Sequence, residues 1–317
     1  LIPDSKIRIK MYEKLLLIRE SELRMVMLYK KGEIGGHVLP CLGQEAIPAG
    51  FSEALSSSDF VVTGHRGAGH FIARGGDLKR LWAELYGKKT GILGGKGGQM
   101  HLADMGANTI AGNAIVGANW VLGCGAGFAA KQNGRGQVAA VFGGEASTNR
   151  GTFHEALNMA ALKKLPLIFT IEFNNKQLWD NNDYVTAVKD IADRAKAYDI
   201  PGINCDGNDP DTVYSEAAGL IKRAGSGLGP SLLVCKTFKW LDSGANQRQT
   251  DEEMIEGKTK FDPVKLYAGK LISEGLLDKK TDEELRQKTA KLVDEAVDFA
   301  ISGPCPEVSD TYSNVFV

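Results

Sequence analysis

Apolar positions Ile7, Met11, Leu15, Ile18 and Val26 recur at helical spacing near the start of the chain, with Lys, Arg and Glu between them. The pattern predicts an amphipathic helix over about 4–31. Further on the period changes. Residues 138–142 form a short apolar run closed by Gly143-Gly144, and residues 167–171 form a second. Both have the length of a buried strand. Between them Phe153, Leu157, Ala160 and Ala161 share one helical face. Thr152-Phe153-His154-Glu155 opens that helix at capping-box spacing, and Pro166 blocks its continuation after Lys163-Lys164. Strand, helix and strand in this order predict a βαβ unit with parallel strands and a right-handed crossover. Residues 231–235 fit the same sheet. The stretch 240–260 is polar with weak periodicity and predicts a mobile surface loop. Asp262-Pro263 and Thr281-Asp282-Glu283-Glu284 supply start signals for helices within about 263–302. The expected fold is α/β: a parallel sheet flanked by helices, with helical N- and C-terminal extensions, in one domain over 1–317.

Composition narrows the function. With 43% hydrophobic residues and a formal charge of -1, the 317 residues can fill a sizeable core but carry no basic block. Neither nucleic acid nor a membrane is therefore an expected partner. The five cysteines are scattered, without a Cys-x-x-Cys pair, and read as reduced buried thiols. Residues 111–130 are rich in Gly and Ala but include Asn113 and Asn119, so they read as a packed loop and helix, not a membrane span. The start of the chain has no signal-peptide pattern, and a cytoplasmic protein is expected.

The candidate chemistry lies at the carboxyl ends of the two central strands, where ligands bind in open parallel sheets. Glu145 follows the first and Asn174 the second. A carboxylate and an amide oxygen are hard ligands suited to Mg²⁺, which keeps waters or takes phosphate oxygens as well. The start of the intervening helix, after Ser147-Thr148-Asn149, would favour phosphate. Taken alone, these residues suggest a metal-bridged phosphate or diphosphate; turn or cap residues at strand ends are the plainer alternative.

Longer motifs decide between them. Gly144-Glu145-Ala146 followed by Ala156-Leu157-Asn158-Met159-Ala160-Ala161 and Asn174 resembles the thiamine-diphosphate motif of 2-oxo acid dehydrogenase α subunits. The similarity extends through Gly43-Gln44-Glu45-Ala46, His65-Arg66-Gly67, Lys96-Gly97-Gly98-Gln99-Met100-His101 and Gly112-Asn113-Ala114-Ile115-Val116-Gly117. Arg74-Gly75-Gly76-Asp77 and Glu84-Leu85-Tyr86-Gly87-Lys88 look most like the pyruvate and acetoin branches. The resemblance implies thiamine diphosphate and Mg²⁺ as cofactors. Glu145, Asn174 and the main-chain carbonyl of Lys176 would hold the metal, and Arg66 the diphosphate. The backbone at Ala114 and Val116 would hold the aminopyrimidine, with Gly144 and Ala146 also at the cofactor. His65 and His101 would line the site as catalytic groups. It further implies a β subunit in an α₂β₂ assembly and a lipoyl-bearing acyltransferase as a second partner. The expected reaction is carbanion attack on the carbonyl of a pyruvate-like 2-oxo acid or acetoin, followed by acyl transfer to the lipoyl acceptor.

The chain departs from that pattern at five places. Glu145 stands for the usual Asp, Ala146 for Gly, Ala68 for His, and Phe173 for the first Asn of a pair. After Thr237-Phe238-Lys239, where the family carries His-x-His-Ser, this chain has Trp240-Leu241-Asp242-Ser243. Lost imidazoles remove groups that shuttle protons near neutral pH. A carboligase with no lipoyl acceptor and a non-catalytic scaffold subunit therefore stand as alternatives. His70 and His154 read as helix-surface or packing residues, and Lys96 as a solvated loop residue.

Overall fold

The computed structural model describes residues 2–175, 182–247 and 249–313. Helix α1 (Ser5–Lys30) opens the chain, its first turn capped by the Asp4 side chain accepting from the Ile7 N–H. Then come α2 (Ala46–Ala54), β1 (Phe60–Val62), α3 (Ala68–Ala73), α4 (Leu78–Leu85), β2 (Thr109–Ala111) and α5 (Ala118–Asn133). The central unit is β3 (Ala139–Gly144), α6 (Gly151–Leu162) and β4 (Leu167–Phe173). After it follow α7 (Asn182–Val185), β5 (Gly202–Asp206), α8 (Pro210–Gly225) and β6 (Ser231–Lys236). Three helices finish the chain: α9 (Asp251–Phe261), α10 (Pro263–Ser273) and α11 (Lys279–Ser302).

The strands form one sheet in the order β2-β1-β3-β4-β6-β5, with every pair parallel. Alternation along β3 explains how both faces are covered. Ala139 and Val141 join Trp120, Phe153 and Phe169 under α5 and α6. Ala140 and Phe142 join Phe51, Val213 and Ala217 under α2 and α8. Burying each large side chain contributes about 2–3 kcal/mol. A further apolar cluster joins α1, α3, α4 and α11 through Ile18, Phe71, Trp82 and Val293. No helix among the described residues is long and apolar enough to cross a membrane.

The expected fold class, the βαβ unit and the N-terminal helix are all present, but three local readings change. Residues 240–260 are not a surface loop. Trp240, Asp242 and Ala245 are buried, and α9 starts at a true capping box between Thr250 and Glu253. The apolar stripe there is narrow, since only Met254 and Gly257 of α9 are buried, so helical periodicity is faint. Thr152 does not cap α6; its hydroxyl donates to the Gly117 carbonyl at 3.0 Å. Thr281 is likewise not a cap. Asp278 caps α11 by accepting from the Thr281 N–H at 2.7 Å.

The glycine-rich stretch after α4 also finds its explanation. Glu84 is only 1% exposed. Its Oε2 accepts from the N–H groups of Leu93 and Gly95, both at 2.8 Å, and Oε1 from those of Gly97 and Gly98 at 2.7 and 3.1 Å. Gly95 has φ +79°, and a Cβ on it would lie 2.5 Å from the Gly87 carbonyl carbon, so only glycine can close this nest. Gln99, at the end of the same motif, exchanges two hydrogen bonds with the Leu39 backbone, at 3.2 and 3.1 Å.

Candidate functional site

Strands β1 and β3 are neighbours, yet the chain leaves them in opposite directions, toward β2 and toward β4. That is the switch point where a parallel sheet leaves a crevice between diverging loops. A cavity of about 320 Å³ lies there, walled by residues from the carboxyl ends of β1, β2, β3, β4 and β6. The β1 end supplies Thr63, His65 and Arg66, and β3 supplies Gly144, Glu145 and Ala146. From the β4 end come Glu172 and Asn174, and from beyond β6 come Lys239 and Asp242. Ile115 and Val116, 69% and 42% exposed, bring an apolar edge just before α5. Gly143 permits close packing behind the cavity, because a Cβ there would stand 2.6 Å from the Trp120 ring.

The cavity wall carries charges of both signs. Glu145, 2% exposed, and Asn174 stand at adjacent strand ends. Arg66 donates to the Pro40 carbonyl and to Asp242 Oδ1, both at 2.8 Å. Lys239 donates to the same Asp242 oxygen at 3.2 Å. Burial and the neighbouring Arg66 push the Lys239 ammonium down to about 8, against the opposing pull of Asp242 and Glu145. Burial, Arg66 and Lys239 together push His65 down to about 4, so its ring is neutral at pH 7. The Arg66 guanidinium is also lowered by burial.

Most of the site expected from the sequence is brought together here. His65, Arg66, Val116, Gly144, Glu145, Ala146 and Asn174 all line the cavity. Ala114 is half-buried just outside the wall that Ile115, Val116 and Gly117 form. His101 is not brought in: it is exposed at the end of the turn Gln99–His101, which packs through Gln99 rather than through the imidazole. Lys176 lies outside the described residues. The helix start expected to face a phosphate is displaced as well. A 3-10 turn, Glu145–Asn149, intervenes before α6, and of its far half only Ser147 reaches the cavity. The positive handles are side chains instead.

Four cavity residues were not singled out by their sequence context. His70 is buried in the cavity wall rather than on a helix surface; its Nε2 lies 2.8 Å from Glu172 Oε1, and its ring packs 4.0 Å from that of Phe142. Glu172 is an acid inside an apolar strand, a conflict that could have flagged it. Asp242 lies in the stretch read as a loop, and Lys239 immediately precedes it. Among the described residues no three His, Cys, Asp or Glu side chains gather as a metal cluster. Mg²⁺ does not require one, because one or two carboxylates plus neutral oxygens, waters and phosphate suffice.

The chain also matches known proteins along nearly its whole length. Residues 13–309 match the family described as dehydrogenase E1 component. The chain is similar to the alpha subunit of acetoin:2,6-dichlorophenolindophenol oxidoreductase from Bacillus subtilis, at 37% identity over 97% of this chain and 92% of that protein. It is equally similar, at 37%, to the protein of the same description from Cupriavidus necator, over 99% of this chain and 95% of that one. The pyruvate dehydrogenase E1 component subunit alpha of Rhizobium meliloti is 34% identical over 98% and 90% of the two chains.

Proposed function

The chain belongs to the dehydrogenase E1 component family, and on that premise we propose that it is the α subunit of a thiamine-diphosphate and Mg²⁺ enzyme acting on a pyruvate-like 2-oxo acid or on acetoin. The observation that carries this reading is the cavity at the β1/β3 switch point, whose wall brings Glu145 and Asn174 together with the cations Arg66 and Lys239. The residues present fit such a ligand. Glu145 and the Asn174 amide oxygen are hard donors for Mg²⁺, with the Lys176 carbonyl proposed as a third. Arg66 can present a planar fork of donors to a diphosphate. Gly144 and Ala146, small residues beside Glu145, leave room for close approach. The backbone around Ala114 and Val116 is proposed to hold the aminopyrimidine.

When bound, thiamine diphosphate supplies a carbon nucleophile for the substrate carbonyl and an electron sink. The chain's own residues bind, orient and exclude water. His65, neutral at pH 7, acts as a hydrogen-bonding wall and not as a proton donor. His101 is not retained as a catalytic group.

The exposed apolar edge of Ile115 and Val116 runs directly into α5, whose Val121, Leu122 and Phe128 are also exposed. This surface, continuous with the cavity, suits a β subunit that closes the site in an α₂β₂ assembly, with a lipoyl-bearing acyltransferase as acyl acceptor. A cytoplasmic location is proposed with it.

The test is calorimetric titration of thiamine diphosphate with Mg²⁺ into the complex in which the chain is isolated. Glu145→Ala should weaken binding by about 100-fold or more, beyond the 10–100-fold typical of losing a group behind the metal ligands. Unchanged binding would show that the metal is held elsewhere. Oxidation of pyruvate and of acetoin, assayed side by side with an artificial electron acceptor, then separates the two substrates.

A further inference from the structure

We infer that Asp242 makes diphosphate binding conditional on a divalent cation, as a fixed counter-charge on the Arg66–Lys239 pair that admits the anion only as its metal chelate. The inference rests on the cofactor reading above and concerns how this chain controls entry to that site.

The first support is the charge balance of the cavity wall. Setting the imidazoles aside, among the described residues it presents three carboxylates, Glu145, Glu172 and Asp242, against two cations, Arg66 and Lys239. Without Asp242 the balance would be even, and a diphosphate would meet two cations with no anion among them. With it, one carboxylate already occupies both, at 2.8 Å from Arg66 and 3.2 Å from Lys239. A free diphosphate must then share those donors with a like charge a few ångströms away, in surroundings screened far less than water. A divalent cation on the Glu145 side turns that excess of one negative charge into an excess of one positive charge.

The second support is that Asp242 is held in place by its backbone. On one flank the Trp240 N–H donates to the Leu42 carbonyl at 2.9 Å, and on the other the Gly244 N–H donates to the Val38 carbonyl at 3.0 Å. The Asp242 N–H itself donates to the Asn246 carbonyl at 2.8 Å. Trp240 anchors the strap, with the Arg19 guanidinium 4.0 Å and the Lys258 ammonium 4.7 Å from its ring. Moving the strap itself would break the flanking bonds and expose the Trp, so the Asp242 carboxylate stays within side-chain rotation of both cations and the ligand accommodates it. Its charge also opposes the burial that lowers Lys239, keeping that ammonium protonated near neutral pH.

The experiment is titration of inorganic pyrophosphate at pH 6.5 into the isolated complex, with Mg²⁺ and with chelator, for wild type and Asp242→Asn. Asn keeps an acceptor for Arg66, removes the charge and turns the second oxygen into an amide donor. In wild type, removing Mg²⁺ should weaken pyrophosphate binding by about 100-fold; in Asp242→Asn the metal-free affinity should rise by about tenfold or more. Two buried cations left without their anion should also make the variant's thermal midpoint climb more steeply with metal-free pyrophosphate than that of wild type. Equal wild-type affinity with and without metal overturns the inference, and needs no variant. So does a metal-free affinity that Asp242→Asn leaves unchanged or lowers. Thiamine diphosphate titrated alongside separates the two levels. If Asp242→Asn gains pyrophosphate affinity but neither protein binds thiamine diphosphate more tightly than pyrophosphate, the counter-charge stands and the cofactor reading falls. Absence of pyrophosphate binding in both proteins under all conditions overturns both.

Discussion

Two regions of this molecule bring glycine-rich backbone around a place for an anion, and they are filled in opposite ways. In the loop after α4, the N–H groups of Leu93, Gly95, Gly97 and Gly98 all point at Glu84, a carboxylate from the chain itself. At the end of β3, Gly143 and Gly144 bring backbone against a cavity whose wall carries Arg66, Lys239 and Glu145. Glycine marks close backbone approach in both. Whether the fold supplies its own anion decides which region is structural and which is left for a ligand. The cavity is nonetheless partly closed in the same manner, since Asp242 already lies between its two cations.

The strongest way to break the comparison is Glu84→Gln. The substitution keeps the shape but removes the charge, and leaves one of the two paired acceptors as a donor facing backbone N–H groups. Charge-assisted hydrogen bonds contribute about 1.5–3 kcal/mol each and are not additive, so a loss of about 3–5 kcal/mol is expected in urea denaturation. Pyrophosphate binding by the folded protein should stay within about threefold of wild type, since Glu84 takes no part in the cavity wall. If the variant is nearly as stable as wild type, or acquires a second pyrophosphate site, the nest is not a closed structural device and the contrast fails.

This contrast also shows what the sequence could and could not reveal. Glu145 and Asn174 were legible because each sits one step beyond a local, largely apolar strand. Their neighbours came from the family resemblance. Glu172, His70, Lys239 and Asp242 were not legible as a group: His70 and Glu172 meet across 102 positions of chain. The sheet brings such residues together only through its strand order, which periodicity does not encode. β1 and β2 are three residues each, too short to register as strands. The motif around His101 is tightly specified by Gln99 and the Glu84 nest, while His101 itself is exposed and not part of the cavity wall. A motif can be constrained by packing as firmly as by catalysis.

The second prediction concerns acid stability and the open region. His65 is held down to about 4 by burial and by the Arg66 and Lys239 charges, against about 6.5 in an unfolded chain. Between these values the unfolded state takes up a proton that the folded state refuses. The stabilisation is therefore complete above about pH 6.5 and is lost progressively as pH falls toward 4, by about 2–3 kcal/mol in all. His65→Asn should lack this component. Its stability relative to wild type should improve on acidification through that window, in urea titrations at a series of pH values. A constant difference between the two proteins from pH 7 to 4 would mean that the imidazole does not feel the cavity's cations, and the placing of Arg66 and Lys239 beside it would need revision.

The smallest effect is expected at Lys96, the lysine inside the glycine nest, and it sharpens the comparison through its counterpart in the cavity. Lys239 is 6% exposed and lies among cavity charges, whereas Lys96 is exposed and donates to the Ser313 carbonyl at 2.7 Å. One lysine faces a ligand site; the other ties a loop to the C-terminal segment from the solvent side. That segment has a second tie of the same kind, Lys89 to Asp310 at 2.9 Å. Exposed contacts of this sort contribute about 0–1 kcal/mol. Lys96→Ala should accordingly lose less than about 1 kcal/mol in denaturation and leave pyrophosphate affinity unchanged. A loss approaching that of Glu84→Gln would mean that the nest is held from outside by the C-terminal segment as much as from inside by its carboxylate. The two anion places would then differ in what braces them as well as in what fills them.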